Sequence, residues 1–352
     1  MRCKKKGTKM LRRPRRNRKS GALRALNAET ALTANDFVAP FFVVEGSGVR
    51  DPIASMPGIE RLSIDQLIIE AEELHQLGIQ AIALFPKIEP GLKDSVGSLA
   101  LHEDGLVPRA VKALKKALPN VCVITDVALD PYTSHGHDGL VENGEVVNDA
   151  TVKVLEKQAL VLAQAGADVV APSDMMDGRV KAIRKALDGG AFEHVNICAY
   201  TAKYASNFYG PFRNALGSIN TGLNKKTYQM DPANVNEAIM EAQLDVDEGA
   251  DMLMVKPALC YLDVIAALKK QFYLPIYAYQ VSGEYSMIMA AGKAGYLDVK
   301  PALFEALLSI KRAGASCIFT YAAKQMLQHG YLEESFDRLM TSKEMRTPVA
   351  LS

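Results

Sequence analysis

The stretch VDEGADMLMVKP (246–257) shows the pattern that decides the fold of this chain: a helix that ends at glycine is followed at once by a short apolar run. Glycine supplies the left-handed conformation that closes a helix. A run without alternating polar residues is typical of a strand that is buried on both faces. The same pattern occurs three more times, in LHQLGIQAIALF (74–85), LAQAGADVVAPS (162–173) and KRAGASCIFTY (311–321).

Four further apolar runs fill the spaces between these, namely FVAPFFVVE (37–45), VCVITDVAL (121–129), VNICAYTAK (195–203) and LPIYAYQVS (274–282). Helical stretches with a 3.6-residue hydrophobic period separate the runs. Because strict alternation of strand and helix is typical of a parallel sheet, we predict an α/β protein, a (β/α)8 TIM barrel over residues 37–340. An open doubly wound sheet is the alternative, but no G-x-G-x-x-G motif follows the first predicted strand.

The two ends of the chain lie outside the predicted barrel: residues 1–36 form an extended arm, and residues 341–352 a C-terminal tail. Residues 1–20 contain eleven Lys or Arg and no acid, which leaves 30 basic against 40 acidic residues in the rest of the chain. A cationic arm can bind nucleic acid or anionic lipid, be disordered, or serve in targeting. Because the remainder is acidic, we favour docking of the arm on its own fold or on a neighbouring subunit. The arm has no apolar core of a secretory signal, and Met10 could also start the chain.

The composition excludes several classes of protein. Of the residues, 49% are hydrophobic and 23% charged, which is the balance of a globular chain rather than of a disordered or fibrous one. No apolar stretch approaches the roughly 18 residues of a membrane span, so we expect no membrane partner. The five cysteines include no C-x-x-C pair, which indicates a reducing compartment without disulfides or a cysteine-based zinc site. We expect a cytoplasmic location, or a plastid in a eukaryote.

Two lysines end two neighbouring predicted strands, and these are the most informative residues of the sequence. Lys203 follows ICAYTA and Lys256 follows MLMV, so both are expected among apolar groups at the end of the barrel where active sites lie. A single strand-end lysine is more often paired in a salt bridge or extended to solvent. Two adjacent lysines lower each other's pKa, and burial lowers it further, which favours amine nucleophiles that form Schiff bases.

Six motifs in order along the chain resemble the 5-aminolevulinate dehydratases, also called porphobilinogen synthases. They are DVALDPYTSHGHDG (126–139), VAPSDMMDGR (170–179), YTAKYASNFYGPFR (200–213), MVKPALCYLD (254–263), YQVSGEY (279–285) and FTYAAKQ (319–325), within a resemblance over about residues 12–340. The resemblance implies a (β/α)8 barrel with an N-terminal arm. It also implies the condensation of two 5-aminolevulinate molecules to porphobilinogen with loss of two waters, an early step of tetrapyrrole biosynthesis.

The resemblance also implies a role for individual residues. Lys256 would hold the substrate that gives the propionate side of the product, and Lys203 the substrate that gives the acetate side. Ser282 and Tyr321 would bind the carboxylate of the first substrate. The second would be bound by Arg213 and Lys225, with support from Gln229. The predicted catalytic set comprises Lys203, Lys256, Asp126, Asp130, Asp138 and Ser173.

The segment 207–230 is a long connection rich in Gly, Asn and Lys. Such a segment can be an ordinary surface loop. It can also be a lid that closes over the site and brings Arg213 and Lys225 onto the substrate. The resemblance favours the lid.

The predicted metal is magnesium. Zinc-dependent members of the family carry three cysteines where this chain has Ala128, Asp130 and Asp138, and carboxylates are hard ligands that suit Mg²⁺. We therefore expect no catalytic zinc. The resemblance implies that Glu241 binds an allosteric, activating Mg²⁺ and that the chain forms a homo-oligomer, an octamer.

Two alternatives to this function remain at the level of the sequence. One is a class I aldolase, which needs a single Schiff-base lysine. The other is a barrel without catalysis that binds nucleic acid through its basic arm. Two strand-end lysines together with two carboxylate-binding sets favour the condensation of 5-aminolevulinate, with no nucleic-acid partner.

Overall fold

Eight parallel strands form a closed barrel in a computed structural model that describes residues 11–217, 224–328 and Leu332. Each strand pairs with the next along the chain, and β8 pairs with β1 at Phe37–Ile318 and Val38–Phe319, which closes the sheet. This confirms the predicted (β/α)8 barrel and excludes the open sheet. The strands are β1 Phe37–Val43, β2 Ala81–Pro86, β3 Cys122–Val127, β4 Val169–Pro172, β5 Asn196–Lys203, β6 Met252–Lys256, β7 Ile276–Gln280 and β8 Cys317–Thr320.

Helices surround the barrel and connect its strands. They are α1 Gly21–Leu26, α2 Ile64–Gln76, α3 Leu106–Ala117, α4 Asn148–Gln164, α5 Arg179–Gly189, α6 Gly210–Leu216, α7 Asn236–Asp247, α8 Leu262–Gln271, α9 Ser282–Lys293, α10 Val299–Ala313 and α11 Ala323–Gln328. Two short antiparallel pairs join Arg50–Pro52 to Glu60–Leu62 and Val141–Glu142 to Glu145–Val146. The seventh strand is shorter than predicted: it ends at Gln280, and Ser282 is instead the first residue of α9.

The glycines that suggested the fold do close helices. Gly249 and Gly314 follow α7 and α10 with φ angles of +100° and +124°, in the region that favours glycine. A Cβ atom at Gly314 would also lie 2.7 Å from Cβ of Lys269. The positive φ, which Gly78 and Gly166 share, explains why a glycine recurs between a helix and a buried strand.

The barrel strands form the centre of the core, and the surrounding helices and loops pack against them. Every residue of β1 is buried, and the side chains of Phe37, Phe42 and Phe319 are at most 1% exposed. Because strands of a barrel run in one direction, the last residues of all eight meet at one end of this core.

Part of the predicted arm can be described. Residues 11–20 are exposed and include a 3-10 helix at Pro14–Arg18, which α1 follows. Residues 1–10 of the arm and the whole predicted tail, 341–352, lie outside the described residues. No helix in the described part of the chain is long and apolar enough to cross a membrane.

Candidate active site

Lys203 and Lys256 are the final residues of the adjacent strands β5 and β6, and their Cα atoms are partners in the sheet. The backbone N–H of Tyr204 donates a hydrogen bond of 2.9 Å to the carbonyl of Lys256, which fixes the two strand ends together. Both lysines are buried, at 5% and 6% exposure. The sheet therefore holds two amines side by side within the protein.

Aromatic rings surround the Lys256 amine. Its Nζ atom lies 4.9–5.2 Å from the ring centroids of Tyr200, Tyr209, Phe212 and Tyr279. Burial, and then the charge of Lys203, lower the pKa of Lys256 to about 7. A large fraction of this amine is thus unprotonated near neutral pH, with a lone pair available for attack on a carbonyl.

The Lys203 amine has a different environment. Its Nζ donates a 2.9 Å hydrogen bond to Oδ1 of Asp138 and a second one to the carbonyl of Ser173. Burial opposes the charge, but Asp138 and Asp130 outweigh it and raise the pKa of Lys203. The expectation that both lysines have lowered pKa values is therefore wrong for Lys203, because buried carboxylates stabilise its ammonium form.

Asp138 connects strand β5 to the segment 207–230. Its Oδ2 atom accepts hydrogen bonds from Nζ of Lys225 at 2.7 Å and from the hydroxyl of Tyr228 at 2.8 Å. Burial alone would raise the pKa of Asp138, but the charges of Lys203 and Lys225 hold it well below its usual range. Asp138 is therefore an ionised carboxylate between two ammonium groups.

Asp126 and Asp130 add two more carboxyl groups at the end of β3. Burial and the neighbouring Asp130 raise the pKa of Asp126 to about 7, although the charges of Lys203 and Lys256 lower it. Burial and Asp138 raise the pKa of Asp130. Oδ1 of Asp126 is buried without a hydrogen-bond partner among the described residues. Asp126 can therefore accept or release a proton near neutral pH.

Ser282 and Tyr321 lie just beyond β7 and β8, on the same end of the barrel. The Ser282 hydroxyl accepts a 2.9 Å hydrogen bond from the backbone N–H of Phe212 in the segment 207–230. The Tyr321 hydroxyl forms a 2.9 Å hydrogen bond with that of Tyr279, one of the rings around Lys256. The structure thus brings both hydroxyls to the neighbourhood of Lys256.

The segment 207–230 is described except for residues 218–223. Lys225 contacts Asp138, and the buried Gln229 donates its backbone N–H to the carbonyl of Lys225 at 2.9 Å. Arg213, by contrast, is exposed on α6. Of the three residues predicted to bind the second substrate, the structure therefore brings Lys225 and Gln229 together and leaves Arg213 facing solvent.

Glu241 lies on α7 and lines a cavity of about 470 Å³. Neither Lys203 nor Lys256 lines this cavity. Glu237, Asp177 and Gln229 line the same cavity. Burial raises the pKa of Glu241 to about 6, although the charge of Arg179 lowers it. Among the described residues no three His, Cys, Asp or Glu side chains are grouped closely enough to hold a metal ion by themselves.

Sequence reasoning did not find Tyr228 or the aromatic rings around Lys256. Tyr228 also contacts Nδ1 of His137 at 2.9 Å, and burial lowers the pKa of that histidine to about 4. His137 is thus held neutral within the loop after β3. The tyrosines in YTAKYASNFYG and YAYQ were visible in the sequence, but nothing in their spacing relates them to Lys256.

Comparisons with known proteins show which family this chain resembles. The model of the family "Delta-aminolevulinic acid dehydratase" matches residues 11–329. A dehydratase of this name from Bradyrhizobium diazoefficiens is 55% identical over 312 residues, which cover 88% of each chain. A chloroplastic one from Physcomitrium patens is 57% identical over 90% of this chain and 73% of its own. The crystal structure of the Toxoplasma gondii enzyme with its reaction product porphobilinogen is 48% identical, with a TM-score of 0.89 over 97% of this chain and 96% of that one.

Proposed function

This chain belongs to the delta-aminolevulinic acid dehydratase family, and from that premise we propose that Lys203 and Lys256 each hold one substrate molecule as a Schiff base. The chain is a porphobilinogen synthase, which condenses two molecules of 5-aminolevulinate to porphobilinogen. The observation that carries the proposal is the in-register pair of buried lysines at the ends of β5 and β6. A single-lysine aldolase would have no use for the second amine.

Lys256 forms the first imine in this proposal. The lone pair of its Nζ attacks C4 of 5-aminolevulinate, and the carbonyl oxygen leaves as water. Its pKa of about 7 supports this order, because the free amine is present without prior loss of a proton. Ser282 and Tyr321 bind the carboxylate of this substrate through their hydroxyl groups.

Lys203 forms the second imine after its ammonium has lost a proton. Asp126, with a pKa of about 7, is a suitable acceptor, whereas the strongly ionised Asp138 stabilises the cation. Lys225, Gln229 and Arg213 bind the carboxylate of the second substrate, and Arg213 reaches it when the segment 207–230 closes as a lid. With an iminium at each C4, one substrate acts as an electrophile and the other as a carbon acid, so the two can be joined.

Borohydride reduction in the presence of 5-aminolevulinate tests this assignment. Peptide mass spectrometry should find reduced substrate on Lys256 at low concentration and on Lys203 as well at saturation. Substrate attached to a different lysine would contradict the assignment.

Members of the family are metal-dependent, and we propose Mg²⁺ as the metal of this chain, with Glu241 as its ligand. The cavity beside Glu241 offers hard oxygen donors from Glu237, Asp177 and Gln229, which suit this ion. Mg²⁺ commonly takes only one or two protein carboxylates and keeps its remaining waters, so a cluster of three acidic residues is not required. When bound, the ion supplies charge stabilisation at this cavity. Asp130 and Asp138, which stand where zinc-dependent members have cysteine, instead face Lys225.

Removal of Mg²⁺ should lower turnover, and its return should restore it, whereas a zinc-selective chelator should leave turnover largely intact. Glu241→Ala should show the turnover of metal-depleted wild type whether or not Mg²⁺ is added. Calorimetry should show that this variant has lost Mg²⁺ binding, because the anionic ligand is gone. Glu305→Ala, which removes an exposed carboxylate on α10, is the matched control and should bind as wild type. Stoichiometric zinc that is needed for turnover would overturn the assignment.

We also propose that the basic arm packs on the acidic body of a neighbouring subunit and supports a homo-octamer. Residues 11–20 are exposed in the single chain, as a segment that contacts another subunit would be. A cytoplasmic location is proposed from the bacterial relative, with a plastid as the counterpart in the chloroplastic one.

Deletion of residues 1–20 should give species smaller than the octamer and lower activity, because the eleven cations of this segment are lost. Deletion of residues 1–9 removes five of those cations and should have a smaller effect. Light scattering and turnover measured at one protein concentration provide the comparison. Unchanged size and activity after the longer deletion would show that the arm takes no part in assembly.

A further inference from the structure

Glu284 is a fully buried carboxylate in the first turn of α9 that has no role in the chemistry described above. Its Oε2 atom accepts a 2.8 Å hydrogen bond from the backbone N–H of Val281. Its Oε1 atom accepts one of 2.6 Å from the N–H of Leu259, and Oε2 receives a longer one of 3.4 Å from Ala258. One side chain therefore binds the backbone of two separate loops.

The two loops are those that carry the residues of the first substrate site. Ala258 and Leu259 follow directly after Lys256 and Pro257, at the end of β6. Val281 directly precedes Ser282. Because the Glu284 carboxylate binds both loops, it fixes the distance between the Lys256 amine and the Ser282 hydroxyl. In the proposed function these two groups bind the same substrate molecule, the amine at C4 and the hydroxyl at the carboxylate.

Capping of α9 explains only one of these contacts. A glutamate at the third helical position commonly accepts from the N–H that precedes its helix, as Glu284 does from Val281. The bond to Leu259 spans 25 residues and joins a different βα unit, so it contributes nothing to the cap. Burial raises the pKa of Glu284 to about 7, and the backbone N–H groups of Val281, Leu259 and Ala258 oppose that rise because they donate to its oxygens.

We propose that Glu284 is a positioning residue, which holds the loop after Lys256 against the start of α9 so that Lys256 and Ser282 act on one substrate molecule. This inference rests on the proposed roles of Lys256 and Ser282. Glu284 acts through the backbone and does not touch the substrate. The arrangement is rigid because all three partners of Glu284 are main-chain N–H groups, which cannot rotate away as side chains do.

Glu284→Gln tests the inference, because it keeps the size of the side chain but turns one acceptor into a donor that faces backbone N–H groups. Trapping of substrate on Lys256 by borohydride should fall about tenfold or more, since small misplacements of a reacting group have effects of this size. The KM for 5-aminolevulinate should rise, and trapping on Lys203 at saturation should persist. Asp263→Asn, which neutralises an exposed carboxylate at the start of α8, is the control and should trap as wild type.

A folded Glu284→Gln protein that traps substrate on Lys256 as well as wild type does would overturn the proposal, even if its melting temperature is lower. If that variant does not fold, hydrogen exchange of the wild-type protein tests the proposal instead. The amide of Leu259 should then be strongly protected, and exchange at the rate of a free loop would also overturn the proposal. Absence of trapping on Lys256 in wild type would instead refute the Schiff-base assignment, which the exchange measurement does not address.

Discussion

Lys256→Ala is expected to abolish the formation of porphobilinogen, with a loss of turnover of at least about four orders of magnitude, as for removal of other covalent nucleophiles. The residue that replaces it has no amine, and the neighbouring amine of Lys203 is engaged by Asp138 and the carbonyl of Ser173. The measurement is product formation at saturating 5-aminolevulinate, together with borohydride trapping. No substrate should be trapped in the site where Ser282 and Tyr321 bind the substrate carboxylate.

Lys203→Ala should be equally inactive but should differ in the trapping experiment. It keeps the amine of Lys256, so one substrate per chain should still be trapped there. Lys116→Ala, which removes an exposed amine on α3, is the control and should turn over as wild type. A Lys203→Ala protein that makes product at close to the wild-type rate would mean that two imines are not required.

Asp245→Ala should lower the free energy of unfolding by about 3–5 kcal/mol, the effect of removing one partner from a buried ion pair. Arg179 on α5 donates to the two carboxylate oxygens of Asp245 on α7 at 2.6 and 3.4 Å, and the two side chains are 3% and 0% exposed. The variant leaves a buried guanidinium without its anion. Thermal unfolding followed by circular dichroism measures the loss.

Two controls separate the loss of the ion pair from the loss of side-chain volume. Asp188→Ala removes the partner of Arg184 from a surface pair, where the carboxylate is 50% exposed, and should cost less than about 1 kcal/mol. The double variant Arg179→Met with Asp245→Leu replaces both charges with apolar groups and should recover much of the stability. A double variant no more stable than Asp245→Ala alone would show that packing, rather than charge, accounts for the effect.

The repeating units of the fold could be predicted from the sequence. Helix-closing glycines and doubly buried strands identified the barrel units, and the order of strands along the chain is also their order in the sheet. The prediction that Lys203 and Lys256 are neighbours depended only on that order. Strand ends were less certain, as Ser282 shows, because a polar residue after an apolar run fits the end of a strand and the start of a helix equally well.

The charge states of the two lysines could not be predicted in the same way. Asp138 lies in the loop after β3, whose path follows no repeat, and its contact with Lys203 spans 65 residues. The rings around Lys256 come from β5, the segment 207–230 and β7. Spacing within one element carries no information about such contacts, so sequence reasoning assigned both lysines the same lowered pKa.

The rings around Lys256 have a consequence for optical measurements. The chain contains 13 tyrosines and no tryptophan, so its intrinsic fluorescence comes from phenol groups alone. Tyr200, Tyr209 and Tyr279 lie within 5.2 Å of Nζ, where a new carbon–nitrogen double bond would form. Imine formation should therefore change the emission of three of the 13 tyrosines without a tryptophan background, and stopped-flow mixing can follow this change without an added dye.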